Sequence, residues 1–354
     1  MKNLKLKMSD TMMFINDVHI SDRKIHDFNV NMDEALRICK EKNISYLVVG
    51  GDLFEARASQ PLNVLISVKK FLEKATNNGL MVILANGNHD KVAQEEDEGY
   101  CHIFNTIDNV IVIDDWMTID TPHANIYVLA YFPETGSLSQ KLEDIQRQEC
   151  FANGKKNVLY AHAGVLDALG TENKNEISPK HFIKFDNVYM GHYHNRNKFG
   201  KNIEYIGSSR QFNYGEDEYK GYNICNSFGE LEFIQNKANV RYTTLEVAYK
   251  DIDSIPDIIE EFLQDKTSEY RIRIIVKATE KTRKLVDINK IQKMGVDKVI
   301  VDYNTTTQTS NSTTLYKKLT GEQIKIAYQE YCKESKANPE LGVKYIDGVN
   351  IKYN

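Results

Sequence analysis

Five short polar motifs, each directly behind an apolar run, constrain this 354-residue chain more than any other feature. They are Asp17-Val18-His19, Gly51-Asp52, Gly87-Asn88-His89-Asp90, His162 between Ala161 and Ala163, and Gly191-His192-Tyr193-His194. An apolar run that ends in Gly, Asp or His reads as a buried strand releasing the chain into a loop. Loops at strand ends gather side chains from distant positions into one site. Together the motifs supply carboxylates, an amide oxygen and imidazoles, a donor set for two borderline or hard divalent cations. In Asp17-x-His19, and again in His192-x-His194, the two-residue period of a strand predicts both side chains on the same side.

The intervening sequence supports this reading. Strands are predicted over 11–15, 46–49 and 81–85. A helix is predicted over 27–42, with Met32, Leu36 and Cys39 on one face. Pro61 opens a second helix, with Leu62, Leu65, Phe71 and Leu72 inward. Strand–helix–strand repetition argues for parallel strands with right-handed crossovers. From 110 onward the runs become strand-rich, at 110–113, 126–130, 158–161, 188–190, 204–206, 222–225 and 231–234. Sheets packed face to face, with helices outside, accommodate both halves in a catalytic domain over 1–245.

Residues 246–303 read as a small α+β unit. Ser254, Pro256 and Asp257 start a helix carrying Ile255, Ile258, Ile259 and Phe262, and strands over 271–276 and 298–302 flank a short helix over 286–294. Residues 305–314 are only Thr, Gln, Ser and Asn, so 304–314 is expected to be a linker. Beyond it, Thr320 and Gln323 form a capping-box pattern, and Ile324, Ala327, Tyr328 and Tyr331 share a helical face. Segment 315–354 is therefore expected to dock on a partner, the alternative being a helix that folds back onto its own domain.

Composition narrows the classes. A formal net charge of -5 excludes a strongly cationic nucleic-acid binder as a description of the whole chain, but not a locally basic face. Five cysteines without CxxC spacing argue against a thiolate zinc site and for a reducing compartment. No apolar run approaches the ~18 residues that span a bilayer, and no signal peptide is read. A cytoplasmic, membrane-free location is expected.

In this order the five elements match the pattern DxH, GD, GNH[DE], H and GHxH, so the chain resembles the calcineurin-like metallophosphoesterases over most of 11–245. The resemblance implies an α/β fold: a four-layer αββα sandwich with a small α+β cap and a C-terminal helical tail. It implies one cation on Asp17, His19 and His194, a second on Asn88, His162 and His192, and Asp52 bridging both. Manganese comes first, with magnesium, iron or zinc also compatible. It further implies a bridging hydroxide as nucleophile, His89 at the leaving oxygen, and Asp90 orienting the His89 imidazole.

Finer features point within that family. Protein phosphatases carry GDxVDRG, whereas this chain has Gly51-Asp52-Leu53-Phe54 followed by Pro61. Tyr205-Ile206-Gly207-Ser208-Ser209, Glu218 and Lys220-Gly221-Tyr222 are similar to a run in the SbcD and meiotic-recombination nucleases. This implies a DNA exo- or endonuclease, the catalytic subunit of an SbcCD-like complex for DNA end processing, recombination or degradation. It also implies an SbcC-like P-loop ATPase docked on the C-terminal helix, and a homodimer formed through the nuclease domain. Compact size and an AT-rich bias lean towards T-even phage members, hence a host cytoplasm. Glu55 stands where archaeal and eukaryotic relatives often have His. Phosphate contacts dominate DNA affinity, which makes Arg57, Arg196, Lys198, Lys201 and Arg210 candidate DNA contacts, with Arg271 and Arg273 in the cap. The competing readings are a small-molecule or cyclic-nucleotide phosphodiesterase and an architectural subunit with little catalysis. His26, His102, His123 and His181 fall outside the pattern and are expected to be structural or surface residues.

Overall fold

The computed structural model describes residues 2–170, 173 and 175–303, and beyond them 325, 328, 329, 332, 338, 339, 342 and 343. The chain divides into two compact units, Met1–Asn304 and Thr305–Asn354.

In the first unit, six strands form a sheet in the order Leu231–Gln235, Gly221–Cys225, Met12–Ile15, Tyr46–Gly50, Met81–Ala85, Val110–Ile113. The last four are parallel. Helix α1 (Ile25–Glu41) and helix α2 (Leu62–Asn77) lie in their crossovers. Met13, Ile15, Leu47, Val49, Val82 and Leu84 pack with Phe28, Met32, Val68 and Leu72 of the helices. The alternate residues Met12, Phe14, Val48 and Ile83 belong to a separate core. That alternation is the signature of a sheet buried on both faces.

A seven-stranded sheet closes the second core. Its order is Lys2–Lys5, Trp116–Asp120, Ala124–Leu129, Lys156–His162, Asn187–Gly191, Ile203–Tyr205, Asn197–Phe199. Ile126, Val128, Val158 and Tyr160 meet Phe14, Val48 and Ile83 between the sheets. Phe14 and Tyr160 stack across this seam with ring centroids 5.0 Å apart, a contact adding ~1 kcal/mol beyond its buried area. On the opposite face Tyr127, Leu129, Leu159 and Ala161 pack on Leu138, Leu142 and Ile145 of helix α3 (Leu138–Gln146). The layers therefore run helix, sheet, sheet, helix, the αββα sandwich.

Three departures are physical. Lys2–Lys5 pairs with Trp116–Asp120 as an edge strand, where one neighbour suffices and the sequence needs no apolar run. The small unit is a parallel sheet of Arg241–Ala248, Tyr270–Ala278 and Lys298–Tyr303. The expected boundary between 245 and 246 thus falls inside a strand, whose half-buried residues hide its membership. Its crossovers carry helix α4 (Ile255–Leu263) and helix α5 (Ile288–Gln292) over a core of Val247, Ile255, Ile272, Ile274, Val276 and Ile291. Helix α5 is shorter than expected. It starts where the Asp287 carboxylate accepts the Lys290 N–H at 3.0 Å, and Gly295 at φ +87° turns the chain away.

The linker expected over 304–314 lies outside the described residues, as do Thr320, Gln323, Ile324, Ala327 and Tyr331. Within the second unit Lys325, Tyr328, Gln329 and Cys332 are helical. Among the described residues no helix is long and apolar enough to cross a membrane.

Candidate metal centre

The five motifs meet at the C-terminal ends of Met12–Ile15, Tyr46–Gly50, Met81–Ala85, Lys156–His162 and Asn187–Gly191. Four of the expected ligands have left-handed backbone: Asp17 (φ 49°), His19 (φ 44°), Asp52 (φ 50°) and His192 (φ 88°). A left-handed residue with a Cβ costs about 1–3 kcal/mol and persists only when its surroundings fix it. The fixing bonds are present. Asp17 N–H donates to the Gly51 carbonyl at 3.0 Å, and the Val18 and His19 N–H groups donate to the Asp52 carbonyl at 2.8 and 2.9 Å. Gly87 is required, because a Cβ there would collide with the Asp52 backbone nitrogen and carboxylate. These turns, rather than a continued pleat, aim Asp17 and His19, since the strand ends at Ile15. The second pair departs further from the two-residue period, because His192 and His194 face different partners.

His19 Nε2 and His194 Nε2 lie 3.2 Å apart, and Asp17, His19 and His194 form one convergent donor group. The Asn88 side-chain oxygen lies 3.0 Å from His162 Nε2 and 3.3 Å from His192 Nδ1. Asp52 Oδ2 stands between the groups, 3.4 Å from His19 Nε2 and 3.3 Å from His162 Nε2. Buried acceptors crowded in this way have their lone pairs aimed at common points, and cations resolve the crowding. The residues thus fit two divalent ions sharing Asp52. All donors are oxygen or nitrogen, as manganese, magnesium, iron and zinc accept.

Charge in the metal-free site follows from the same contacts. Burial pushes the His19 imidazole down to about 4 against the pull of Asp52 and Asp17. Burial also opposes a charge on His162, but Asp52 and Asp17 carry its ring up to about 9. The two carboxylates thus favour the charged form of His162 against its burial.

The supporting layer was only partly foreseen. His194 Nδ1 donates to Glu216 Oε1 at 2.8 Å, which leaves Nε2 free to face the centre. Carboxylates in that position fix the tautomer and basicity of a ligating imidazole. Glu218, the acid of the family-like sequence run, lies elsewhere: its carboxylate accepts from Tyr270 Oη at 3.1 Å and faces Arg241 Nη1 at 3.5 Å. Lys24, Glu55 and Phe212 also line the cavity over the centre, which measures about 390 Å³.

The backbone N–H of His89 donates to Asp52 Oδ1 at 2.8 Å, and its Nδ1 meets the Glu55 carbonyl at 2.6 Å. The expected role of Asp90 is corrected. Its carboxylate accepts backbone N–H groups from Gly87 (2.7 Å), Phe54 (2.9 Å) and Leu53 (3.2 Å). It ties the two ligand loops together, while the Glu55 carbonyl orients the His89 ring. Burial and the Asp52 charge push the Asp90 carboxyl up to about 7 against those three donors.

The candidate DNA contacts divide. Arg57 lines the cavity and packs on the Asn88 carboxamide. Lys198 is 82% exposed at a sheet edge. Arg196 instead donates to the Ile206 carbonyl and Asn223 Oδ1 and pairs with Glu204 at 2.7 Å. Arg210 is buried, donating to the Val18 and His19 carbonyls at 3.0 Å. Both of these cations are spent inside the protein. In the cap, Arg271 pairs with Asp27 at 3.0 Å and Arg273 donates to Thr244 Oγ1 at 2.9 Å. Of the other histidines, His102 pairs with Asp114 at 3.0 Å and His123 stacks on Phe228.

Comparison with known proteins agrees. The family model described as calcineurin-like phosphoesterase matches residues 11–196. Protein 244L of Invertebrate iridescent virus 6 is 25% identical over 291 residues, 79% of this chain and 98% of its own length. Protein 078R of Invertebrate iridescent virus 3 is 21% identical over 252 residues, 69% of this chain and 70% of its own. Both viral proteins are named as phosphoesterases. Among solved structures, a dimetal phosphatase from Danio rerio aligns over 62% of this chain and 92% of its own, with a TM-score of 0.42 and 8% identity. A cold-active protein-tyrosine phosphatase from a Shewanella species aligns over 66% and 82%, with a TM-score of 0.32 and 15% identity. The family match spans every motif at the centre, so this chain belongs to the calcineurin-like phosphoesterases and is a hydrolase that works with two metal ions.

Proposed function

We propose that the chain is a DNA nuclease, the catalytic subunit of an SbcCD-like nuclease–ATPase complex. The observation that carries this is the shape of the ground around the centre. The cavity of about 390 Å³ meets a second of about 580 Å³ at His192 and His194. Open space that continues past His192 and His194 suits a polymer, whereas small-ligand sites enclose most of their ligand. Arg57 on one wall offers a phosphate contact, and exposed Lys198, whose ammonium lies 3.7 Å from Glu204, is a weaker candidate at the sheet edge. The GDLF and YIGSS runs support the same subfamily.

Asp17, His19 and His194 would hold one ion, Asn88, His162 and His192 the other, and Asp52 both. Bound there, the ions supply a water of lowered pKa and offset charge on the phosphoryl oxygens. The chain does the positioning. The left-handed turns present the donors, Asp90 locks two of the loops, and Glu216 sets the His194 tautomer. A carbonyl oxygen only accepts, so His89 Nδ1 carries the hydrogen that reaches Glu55. Its Nε2 then bears a proton only in the imidazolium form, the form that can donate to a leaving oxygen.

The test is manganese-dependent loss of linear duplex DNA, with and without an SbcC-like ATPase plus ATP, and with His89→Ala as the blank. Loss of wild-type activity in the blank is expected. Untouched DNA alongside turnover of a cyclic nucleotide would replace this reading with the small-molecule one. Removal of residues 315–354 is expected to abolish ATPase association, and retained co-purification would refute the docking role.

A further inference from the structure

Glu55 sets a puzzle at the cavity wall. Burial would raise its carboxyl, but a hydrogen bond from Ser21 and the charge of Lys24 hold it below the usual range. It is therefore an anion beside the path of an anionic substrate. Lys24 Nζ answers it from 3.5 Å. This lysine ends the short turn Asp22–Lys24, five residues past His19. Its ammonium also lies 5.5 Å from the centre of the Phe212 ring. Phe212 in turn rests on His19 and His194, with ring centroids 5.2 and 4.9 Å away. Lys24 is thus anchored on one side to the metal-facing imidazoles through Phe212. On the other it is anchored to Glu55, whose carbonyl holds His89. It lines the same cavity without belonging to either donor group.

An ammonium has three donors, and Glu55 occupies one side of it. With Arg57 lining the same cavity, two cations stand near Glu55, while the other carboxylate there, Asp52, faces the imidazoles of His19 and His162. We infer that Lys24 is a specificity-determining residue that binds a second phosphate, the one flanking the phosphodiester at the metal centre. Glu55 is the positioning residue that holds Lys24 there. A strand carrying consecutive phosphates satisfies both points, and an isolated diester satisfies only one. This rests on the nuclease reading and names what along the strand is recognised.

The test compares the dinucleotide TpT with its 5′-phosphorylated form pTpT, using the full chain with manganese, and with bis(p-nitrophenyl) phosphate as a diester outside nucleic acid. One charge-assisted contact predicts a KM about tenfold lower for pTpT than for TpT in the wild type. In Lys24→Ala that ratio should fall towards one, and Lys24→Arg should restore it. A merely structural defect would shift both substrates together and leave the ratio standing. In equilibrium binding of a labelled single strand in calcium, on a His89→Ala background, the slope of log K against log salt should shrink by ~0.7 when Lys24 is also replaced by Ala. An unchanged ratio and slope in Lys24→Ala, with the wild type still cleaving both dinucleotides, overturns the role of Lys24 and leaves the nuclease reading intact. Turnover of the nitrophenyl diester with neither dinucleotide cleaved overturns both.

Discussion

Replacing Glu216 by Gln should weaken one metal site while the chain stays folded. The Glu216 side chain is 9% exposed and accepts from His194 Nδ1 at 2.8 Å. A bond to an ionised, largely buried acceptor contributes roughly 1.5–3 kcal/mol. Gln keeps the shape and a carbonyl oxygen for His194 Nδ1, while its NH2 faces the Phe212 N–H that Glu216 Oε2 accepts at 3.0 Å, so the charge and one local bond are lost. Outer-layer changes of this kind cost about 10–100-fold in metal affinity, or about 1.4–2.7 kcal/mol, within the same range. The surroundings limit collateral damage. Lys220 loses a partner at 3.7 Å but keeps the His194 carbonyl at 2.5 Å and Asn195 Oδ1 at 2.7 Å. Calorimetric titration with manganese should show two sites in the wild type, and one of them ~10–100-fold weaker in the variant. Two undiminished sites would refute the orienting role. Loss of both sites with a collapsed Tm would show that Glu216 holds the fold instead.

Other substitutions separate position from chemistry. Asp90→Asn leaves at least one of three backbone N–H groups facing an amide NH2, so metal-free protein should lose about 1–3 kcal/mol in urea unfolding. Unchanged stability with reduced kcat would instead support an Asp90 that acts on His89. Arg210→Ala removes a buried cation from the Val18 and His19 carbonyls and from Asp27, 3.9 Å away. It should cost about 3–5 kcal/mol, read by thermal unfolding, where a DNA contact would change only the binding isotherm. Manganese at ~100 times its Kd should stabilise the folded chain by about 2.7 kcal/mol over chelated protein. The same addition to Asp52→Asn should give a clearly smaller rise in Tm.

Legibility of the site followed from where its residues sit in the chain. Asp17, Asp52, Asn88 and His192 each follow a buried strand and His162 ends one, so an apolar run announces every one of them. The sandwich was legible for the same reason: Met12–Ile15 and Tyr46–Gly50 send alternate residues into two cores and read as continuous apolar runs. What escaped depends on partners that leave no pattern. Asp90 accepts from backbone N–H groups, and Arg210 donates to carbonyls, so nothing in either neighbourhood distinguishes structure from substrate contact. Glu216 stands in the acidic run Glu216-Asp217-Glu218, where only the turn at Phe212 and Asn213 decides which carboxylate reaches His194. The strand Lys2–Lys5 is polar because it needs one neighbour.

The most direct measurement is anomalous diffraction from crystals soaked in manganese. Two peaks are predicted, one among Asp17, His19 and His194 and one among Asn88, His162 and His192, with Asp52 touching both. A single peak, or two peaks away from Asp52, would contradict the shared two-metal centre on which the whole account stands.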